Sequence, residues 1–377
     1  MQYLFWISTL LVAYVYVGYP VLAWGLARMI GRPTLASPIQ LKVTVVIAAH
    51  NEASHIEETV RNKLVQQYPE QLLEIIVVSD GSSDGTDEIV LGLGPRVRLT
   101  RQDPRAGKTA ALNVAVQQAA GEIVVFSDAN SMYSPDAIGR LVANFADPTV
   151  GYVTGKMVYV NNDGSLIGDG CSGYMKYENW LRRQESQLAS VIGVDGGIDA
   201  VRKGLYQPMR PDQLPDFVLP LSVAEQGYRV VYEADALLHE ASLSRQDEEY
   251  RMRVRVSLRA LWALWDMRRL MNPFRHGLLA FQLVSHKLLR YMSFVPLMVL
   301  FVSSVVLAPQ GGVYLAALIL QLAALALAVI GWARRTRHSP TFVAFPYYFS
   351  LLNIAVAHAA LRFLRGDRQV TWTPRTG

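Results

Sequence analysis

The first 27 residues of this 377-residue chain carry no charged side chain. A helix needs ~20 consecutive apolar residues to cross the hydrocarbon core of a bilayer. Tyr3 to Ala27 supply such a stretch, flanked by aromatic residues. A cleaved signal peptide would start with a basic region and have a shorter apolar run. Residues 1–30 therefore read as an uncleaved anchor. Arg28, Arg32 and Lys42 follow it, and the positive-inside rule puts what comes next in the cytoplasm.

The far end of the chain repeats the signal. Residues 1–250 hold 20 Lys/Arg and 29 Asp/Glu, a balance of −9; residues 251–377 hold 16 and 2, a balance of +14. A basic, aromatic-rich third can serve nucleic acid or a membrane surface. Here apolar runs separate the arginines, which selects the membrane and excludes nucleic acid. Candidate spans are Tyr291–Ala308, Val313–Ala333 and Phe342–Leu361, within a C-terminal membrane region at 291–365. Arg334, Arg335 and Arg337 favour the cytoplasm, so the first two make an out-and-back hairpin with Pro309–Gly312 outside. Arg362, Arg365 and Arg368 also favour the cytoplasm, so the third is re-entrant or spans against the charge rule. Residues 246–290 read as amphipathic interface helices, with His286, Lys287 and Arg290 interrupting the apolar run Gly277–Arg290. The single cysteine, Cys171, excludes a disulfide scaffold and a cysteine metal cluster. With 51% hydrophobic residues the chain is not disordered.

Between these ends, residues 43–245 alternate short β-branched runs with helical stretches. Val43–Ala49, Glu74–Ser79, Val97–Arg101 and Glu122–Ser127 read as buried strands. Ala53–Gln67, Asp84–Leu93 and Lys108–Ala119 have helical spacing. Such alternation predicts an α/β domain with a mostly parallel, Rossmann-like sheet. Ligands of these sheets sit at the carboxyl ends of the strands, where the order reverses. After the first strand comes His50-Asn51-Glu52, and after the second Ser79-Asp80-Gly81-Ser82-Ser83-Asp84-Gly85-Thr86. Arg105-Ala106-Gly107-Lys108 lies past the third, and the fourth ends in Ser127-Asp128-Ala129-Asn130. Asp84 alone reads better as a turn or cap residue than as a ligand. Carboxylates converging at one sheet end, as Glu52, Asp80 and Asp128 do, call for a cation or a donor-rich ligand.

These four motifs, with Gly107-Lys108-Thr109-Ala110-Ala111-Leu112-Asn113 opening the third helix, resemble the nucleotide-sugar half of family-2 glycosyltransferases of the GT-A fold. The membrane segments resemble those of the branch containing hyaluronan, chitin-oligosaccharide, poly-N-acetylglucosamine and cellulose synthases. The resemblance covers about residues 43–300 and implies a donor half at 43–130 and an acceptor half at 151–242. It implies that Ala48, Asn51, Glu52, Asp80, Lys108 and Asp128 meet a nucleotide-sugar donor. Carboxylates there accept hydrogen bonds from ribose hydroxyls or a base N–H. Asp128 and Asn130 stand where the family carries Asp-x-Asp, which holds Mg²⁺ or Mn²⁺ on the diphosphate. The second position is Asn here, a neutral and weaker ligand.

In the acceptor half, Gly193-Val194-Asp195-Gly196-Gly197-Ile198-Asp199 resembles the family's loop at the acceptor–donor junction. Gly196 and Gly197 would let backbone approach a sugar, although a tight turn is the plainer reading. Pro215-Asp216-Phe217 matches the stretch with the family's catalytic aspartate, making Asp216 the candidate base, with Asp195, Asp199 and Asp212 next. A cap on the following helix is its structural alternative. Met252-Arg253-Val254-Arg255-Val256 lies where processive members carry Gln-x-x-Arg-Trp. Arg253 and Arg255 could bind diphosphate or acceptor, but the aromatic platform is missing.

The resemblance thus implies an inverting glycosyltransferase of the inner membrane, multi-pass, with a cytoplasmic catalytic domain. Its partners would be a nucleotide-sugar donor, with UDP the nucleotide the resemblance favours, a glycan or lipid-linked acceptor, membrane lipids and polysaccharide-assembly proteins. Two alternatives stay open: a polyprenyl-phosphate sugar transferase, and an inactive membrane scaffold of the same fold. A scaffold has no need of a base.

Overall fold

Because Val43–Ala49 is apolar apart from Thr44 and shows no polar alternation, it must be covered on both faces, and all seven of its residues are buried. It forms the centre of one of two compact units in the computed structural model, which describes residues 1–160, 166–241, 246–334 and 340–369. The sheet unit gathers residues 30–160, 182–240 and those from 368 onward; the helical unit gathers 1–29, 161–181 and 241–367. Arg335, Arg337 and Ser242, which entered the sequence reading, lie outside the described residues.

The sheet has eight strands: β1 (Val43–Ala49), β2 (Leu73–Asp80), β3 (Val97–Gln102), β4 (Ile123–Asp128), β5 (Met132–Tyr133), β6 (Val150–Val160), β7 (Asp199–Arg202) and β8 (Arg229–Ala241). Their order is β3-β2-β1-β4-β7-β6-β8-β5. β1 pairs in parallel with β2 and β4, and β2 with β3. β7 is antiparallel to β4 and to β6, and β5 to β8. The parallel half matches the expectation from residues 43–130. The later strands extend it with antiparallel pairings, so the whole sheet is mixed, of the Rossmann-like GT-A type.

The chain runs outward from β1 to β3 and then returns to the other side of β1 as β4. That reversal opens a crevice at the carboxyl ends of β1 and β4. Register places Ala48 beside both Val78 and Asp128, so the motif residues of three strands meet at one end. The opposite end of β1 is closed by Gly121, whose N–H donates to Thr44 Oγ1 at 2.8 Å while Thr44 donates to Glu74 at 2.7 Å.

Among the described residues three helices are long and apolar enough to cross a membrane: Gln2–Ile30, Gly312–Ala333 and Thr341–Leu364. A fourth crossing is available if Pro273–Tyr291 and Phe294–Gln310, bent by 55°, form one broken span or re-entrant loop. The expected straight span at 291–308 is therefore a 14-residue helix, Phe294–Leu307, about 21 Å at ~1.5 Å per residue and short of the bilayer core. Pro296, in its first turn, lacks the N–H that would continue a helix from the preceding segment. The 341–364 helix, for which re-entry was one expectation, is 24 residues long and sufficient to span. It packs its small residues Ala355, Ala359 and Ala360 against Val254, Leu258 and Leu261 of the helix Gln246–Asp266, a close approach that small side chains permit.

The first span carries a five-residue π-helical turn at Tyr14–Gly18. Pro20 follows, and its missing N–H leaves the Tyr16 carbonyl without the usual helical donor. The Tyr177 hydroxyl supplies one at 3.3 Å.

At Gly121 any side chain collides with backbone. A Cβ there would lie 2.5 Å from Thr44 N and 2.8 Å from Ile123 O. Gly121→Ala should destabilise the sheet unit by ~1–3 kcal/mol, the usual cost of overpacking a close-packed site. Thermal unfolding of the purified chain reads this; an unchanged melting temperature would refute the packing.

Candidate active site

The loops after β1 and β2 are stitched together by the polar residues that punctuate them. Asn51 adopts φ +54°, a left-handed conformation that Asn tolerates. From there its Oδ1 accepts the Ser83 N–H at 2.9 Å. The Glu52 N–H donates to Thr86 Oγ1 at 2.9 Å, and Asp84 accepts from the N–H groups of Ala53 and Thr86. Burial works to raise the Asp84 pKa, but the bonds from Thr86 and Ala53 prevail and lower it. Asp84 is thus the turn residue that its sequence context implied. Glu52 stays partly exposed, with His55 Nδ1 3.6 Å from its carboxylate.

Asp80 is wholly buried. Its carboxylate accepts from Gln102 Nε2 at 2.6 Å, from Ala106 N at 2.8 Å and from Gly107 N at 3.0 Å, with Arg105 Nε 3.6 Å away. The Asp80 carboxylate thus holds the Arg105–Gly107 turn at the end of β2. Gly107, at φ +94°, turns the chain directly into the helix Lys108–Gln118.

Lys108 at the start of that helix donates to Asp128 Oδ1 at 2.5 Å. Around them lie Phe126, Tyr152, Gly197, Asp199 and Asp216, bounding a cavity of about 10 Å³, on the order of what one water occupies. Burial works against the Lys108 charge, but Asp128, Asp216 and Asp199 overcome it and raise its pKa. Asp216 sits in the first turn of the helix Pro215–Glu225, where the helix dipole favours the carboxylate. Two left-handed glycines wedge into this cluster. A Cβ on Gly196 would lie 2.7 Å from the Asp216 carboxyl group, and one on Gly197 would lie 3.1 Å from Ser131 Oγ and 3.5 Å from Asp128 Oδ2. Both have φ +76°.

Asp199, ranked behind Asp216 from sequence, is 1% exposed at the start of β7. Burial first, then the Asp216 charge, raises its pKa well above the usual carboxylate range. Asp195 is committed elsewhere, in a bidentate pair with Arg182, and Asp212 pairs with Arg210 at 3.1 Å. Lys63 carried no motif, yet it is fully buried, donates to Ser131 O at 2.5 Å and lies 3.8 Å over the Tyr133 ring. It pins the turn that carries Asp128 and Asn130. A lysine on the buried face of the helix Ile56–Leu64 was the signal for it.

Among the described residues no three Asp, Glu, His or Cys side chains form a ready-made metal cage. Asp128, 38% exposed, and the half-buried Asn130 offer oxygen donors at the crevice. A divalent cation carried on a diphosphate takes one or two protein oxygens and the rest from phosphate, and these residues fit that case. Arg253 and Arg255 lie in the helical unit, where Arg253 pairs with Glu249 at 2.8 Å and donates to Tyr348 Oη at 2.6 Å.

The sequence pattern of glycosyl transferase family 2 matches residues 44–198. That stretch of the chain is thus similar to glycosyl transferase family 2. The chain is 28% identical over 204 residues to a poly-β-1,6-N-acetyl-D-glucosamine synthase of Staphylococcus aureus, covering 52% of this chain and 48% of the relative. The corresponding synthase of Staphylococcus epidermidis is 30% identical over 160 residues, 41% of this chain and 38% of the relative. The matched region thus spans about half or less of these curated relatives. A solved mannosyltransferase from Pyrobaculum calidifontis, in complex with GDP-mannose and Mn²⁺, superposes with a TM-score of 0.73 at 26% identity over 97% of this chain and 99% of the other.

Within this glycosyltransferase domain Asp199 has a pH signature. A carboxyl whose pKa folding raises stabilises the native state most below its unfolded value of ~3.9, and that contribution is lost as pH rises through the folded value. Asp199→Asn cannot ionise, so its melting temperature should gain on the parent's between about pH 5 and about pH 8. A constant difference across that range would mean that Asp199 is ionised in the native state.

Proposed function

We propose that this membrane protein is an inverting glycosyltransferase. It takes a sugar from a nucleotide donor, UDP-linked in the first instance, to a hydroxyl of a glycan or lipid-linked glycan. The observation that supports this best is the gathering of Lys108, Asp128, Asp199 and Asp216 at the crevice of the sheet that carries the match to family 2.

Two neighbouring carboxyl groups with divergent environments divide acid and base roles between them. Burial and the Asp216 charge disfavour ionisation of Asp199, while Asp216, half-buried at a helix start, is the candidate base. Asp216 takes the proton of the acceptor hydroxyl as that oxygen attacks the anomeric carbon opposite the nucleotide, which inverts it. Such base catalysis contributes ~10²–10⁴-fold. Lys108, at a helix N-terminus, turns from Asp128 to the donor diphosphate. Asp128 and Asn130 would then hold Mg²⁺ or Mn²⁺, which offsets the charge of the leaving nucleotide. Ala48, Asn51 and Glu52 line the nucleoside side, and Asp80 acts through the Arg105–Gly107 turn it holds. Gly196 and Gly197 leave room for sugar beside Asp216.

The test is nucleotide release by detergent-purified protein with UDP-sugars and GDP-mannose, with and without a chelator. Turnover should appear with one donor and fall on chelation. Asp216→Asn should lower it by roughly 10²-fold or more while nucleotide affinity holds within a few-fold. Joint loss would place Asp216 in donor binding or folding. Nucleotide binding without turnover of any donor would favour the inactive scaffold.

We also propose that the sheet unit faces the cytoplasm, supported by Arg28, Arg32 and Lys42 after the uncharged first span. In a Cys171→Ser background, an impermeant thiol reagent on intact cells should label Gln310→Cys and spare Glu70→Cys. The reverse pattern refutes this topology.

A further inference from the structure

The helix Ile56–Leu64 turns a polar stripe toward the segment that leaves β4. Thr59 and Lys63, four residues apart and so on one face of the helix, are both buried. The Thr59 hydroxyl donates to the Ala129 carbonyl at 2.6 Å, and Lys63 Nζ donates to the Ser131 carbonyl at 2.5 Å. Asn62 accepts the Tyr133 N–H at 2.8 Å and donates to the Tyr133 carbonyl at 3.0 Å. One helix thus grips alternate residues, 129, 131 and 133, of the chain leaving Asp128.

Lys63 also donates to Asn62 Oδ1 at 3.1 Å and lies over the Tyr133 ring, so among the described residues no carboxylate pairs with it. Burying a lysine nitrogen without a counter-charge is costly. Methionine, of similar length, would fill the same space without that cost. Packing alone therefore gives no reason for a lysine here, and what it adds is a fixed Ser131 carbonyl. Asn130 lies between the two clamped carbonyls, in a turn closed by the Ser131 N–H donating to the Asp128 carbonyl at 3.3 Å. Its backbone is held on both sides, whereas its own half-buried amide makes no hydrogen bond to a described residue. A neutral oxygen holds a hard cation less firmly than a carboxylate does. Its placement must then supply what its charge does not.

We propose, resting on the reading of this crevice as a site for a cation and a nucleotide, that Thr59 and Lys63 are positioning residues for cation binding. Through the Ala129 and Ser131 carbonyls they hold the Asp128–Asn130 turn in the shape that accepts a divalent ion carried on a nucleoside diphosphate. Neither side chain touches the ion. Groups that orient metal ligands from behind contribute roughly 10–100-fold to metal affinity, and a turn with one charged and one neutral ligand depends on them most.

The test titrates the full chain in detergent with Mn²⁺, whose paramagnetic resonance signal reports free ion, with UDP or GDP present and with neither. The parent should bind Mn²⁺ more tightly when a nucleotide is present. Lys63→Met and Thr59→Val keep the shape and remove one donor each. Both should weaken Mn²⁺ binding beside that nucleotide by roughly 10-fold or more, while calorimetric affinity for the nucleotide without metal holds. Thr59→Ser retains the hydroxyl and should keep the parent's Mn²⁺ affinity. Thr44→Val removes a buried hydroxyl at the opposite end of β1 and should lower the melting temperature with no change in Mn²⁺ affinity. Melting temperatures are measured for every variant, and the two threonine-59 variants carry the test should Lys63→Met not fold. Unchanged Mn²⁺ affinity in a folded Thr59→Val or Lys63→Met, or an equal loss in Thr44→Val, would overturn the proposal and leave the crevice reading standing. Absence of nucleotide-dependent Mn²⁺ binding by the parent would refute the crevice reading, and this role with it.

Discussion

Three carboxyl groups, Asp128, Asp199 and Asp216, meet where β1 and β4 end, and the ammonium of Lys108 is what lets them stay together. Removing one member of a buried charge cluster typically costs ~3–5 kcal/mol, because the remaining charge is left without compensation. The geometry around the cluster serves this constraint. Asp80 holds the N–H groups of Ala106 and Gly107, and Gly107 turns the chain so that Lys108 begins a helix aimed at Asp128. A buried carboxylate at the end of β2 therefore governs where the cation stands. On the other side, Gly196 and Gly197 supply left-handed backbone with no side chain, and only so can the loop that leads into β7 pass close to both Asp128 and Asp216. A methyl group at either position would press on the cluster.

The parallel half was legible because its signals are local. Val43–Ala49 is bounded as the pattern predicts, and β2 and β4 differ by a residue at their ends, since burial on both faces demands continuous β-branched runs; β3, expected to be buried, is instead an edge strand with no buried residue. The antiparallel half was not, because β7 has four residues and β5 two. Such strands are defined by partners distant in sequence and leave no periodicity. The broken helix pair at 273–310 was read as an interface helix and a straight span, because hydropathy averages over Pro296 whereas backbone hydrogen bonding does not.

At the site, residue types were readable and orientations were not. Asp80 and Asp128 occupy equivalent positions at the ends of parallel strands, yet one is sealed and the other 38% exposed. The difference is the Arg105–Gly107 turn, which closes over the β2 end. Asp199 looked like one of several acids in a glycine-rich loop. Its distinction, a buried position next to Asp216, depends on strand pairing that sequence does not display. Lys63 is a comparable case, a cation that supports the Asp128–Asn130 turn from beneath.

The charge balance of the crevice has a consequence for cation binding within the proposed reading. Burial disfavours ionisation of Asp199, Lys108 pairs with Asp128, and Asn130 stands, uncharged, where the resembled family carries an acid. The protein-borne charge of this group is then close to that of Asp216 alone. Hard divalent ions bind in proportion to the anionic oxygens offered, so this crevice by itself has little hold on one. A diphosphate changes the balance by bringing its own anionic oxygens and by giving Lys108 a second partner, which frees Asp128 for a cation. Cation and donor thereby become coupled ligands, each raising the affinity for the other, as linkage between two sites requires. The substitution at position 130 thus shifts the cation from a resident of the protein to a companion of the substrate.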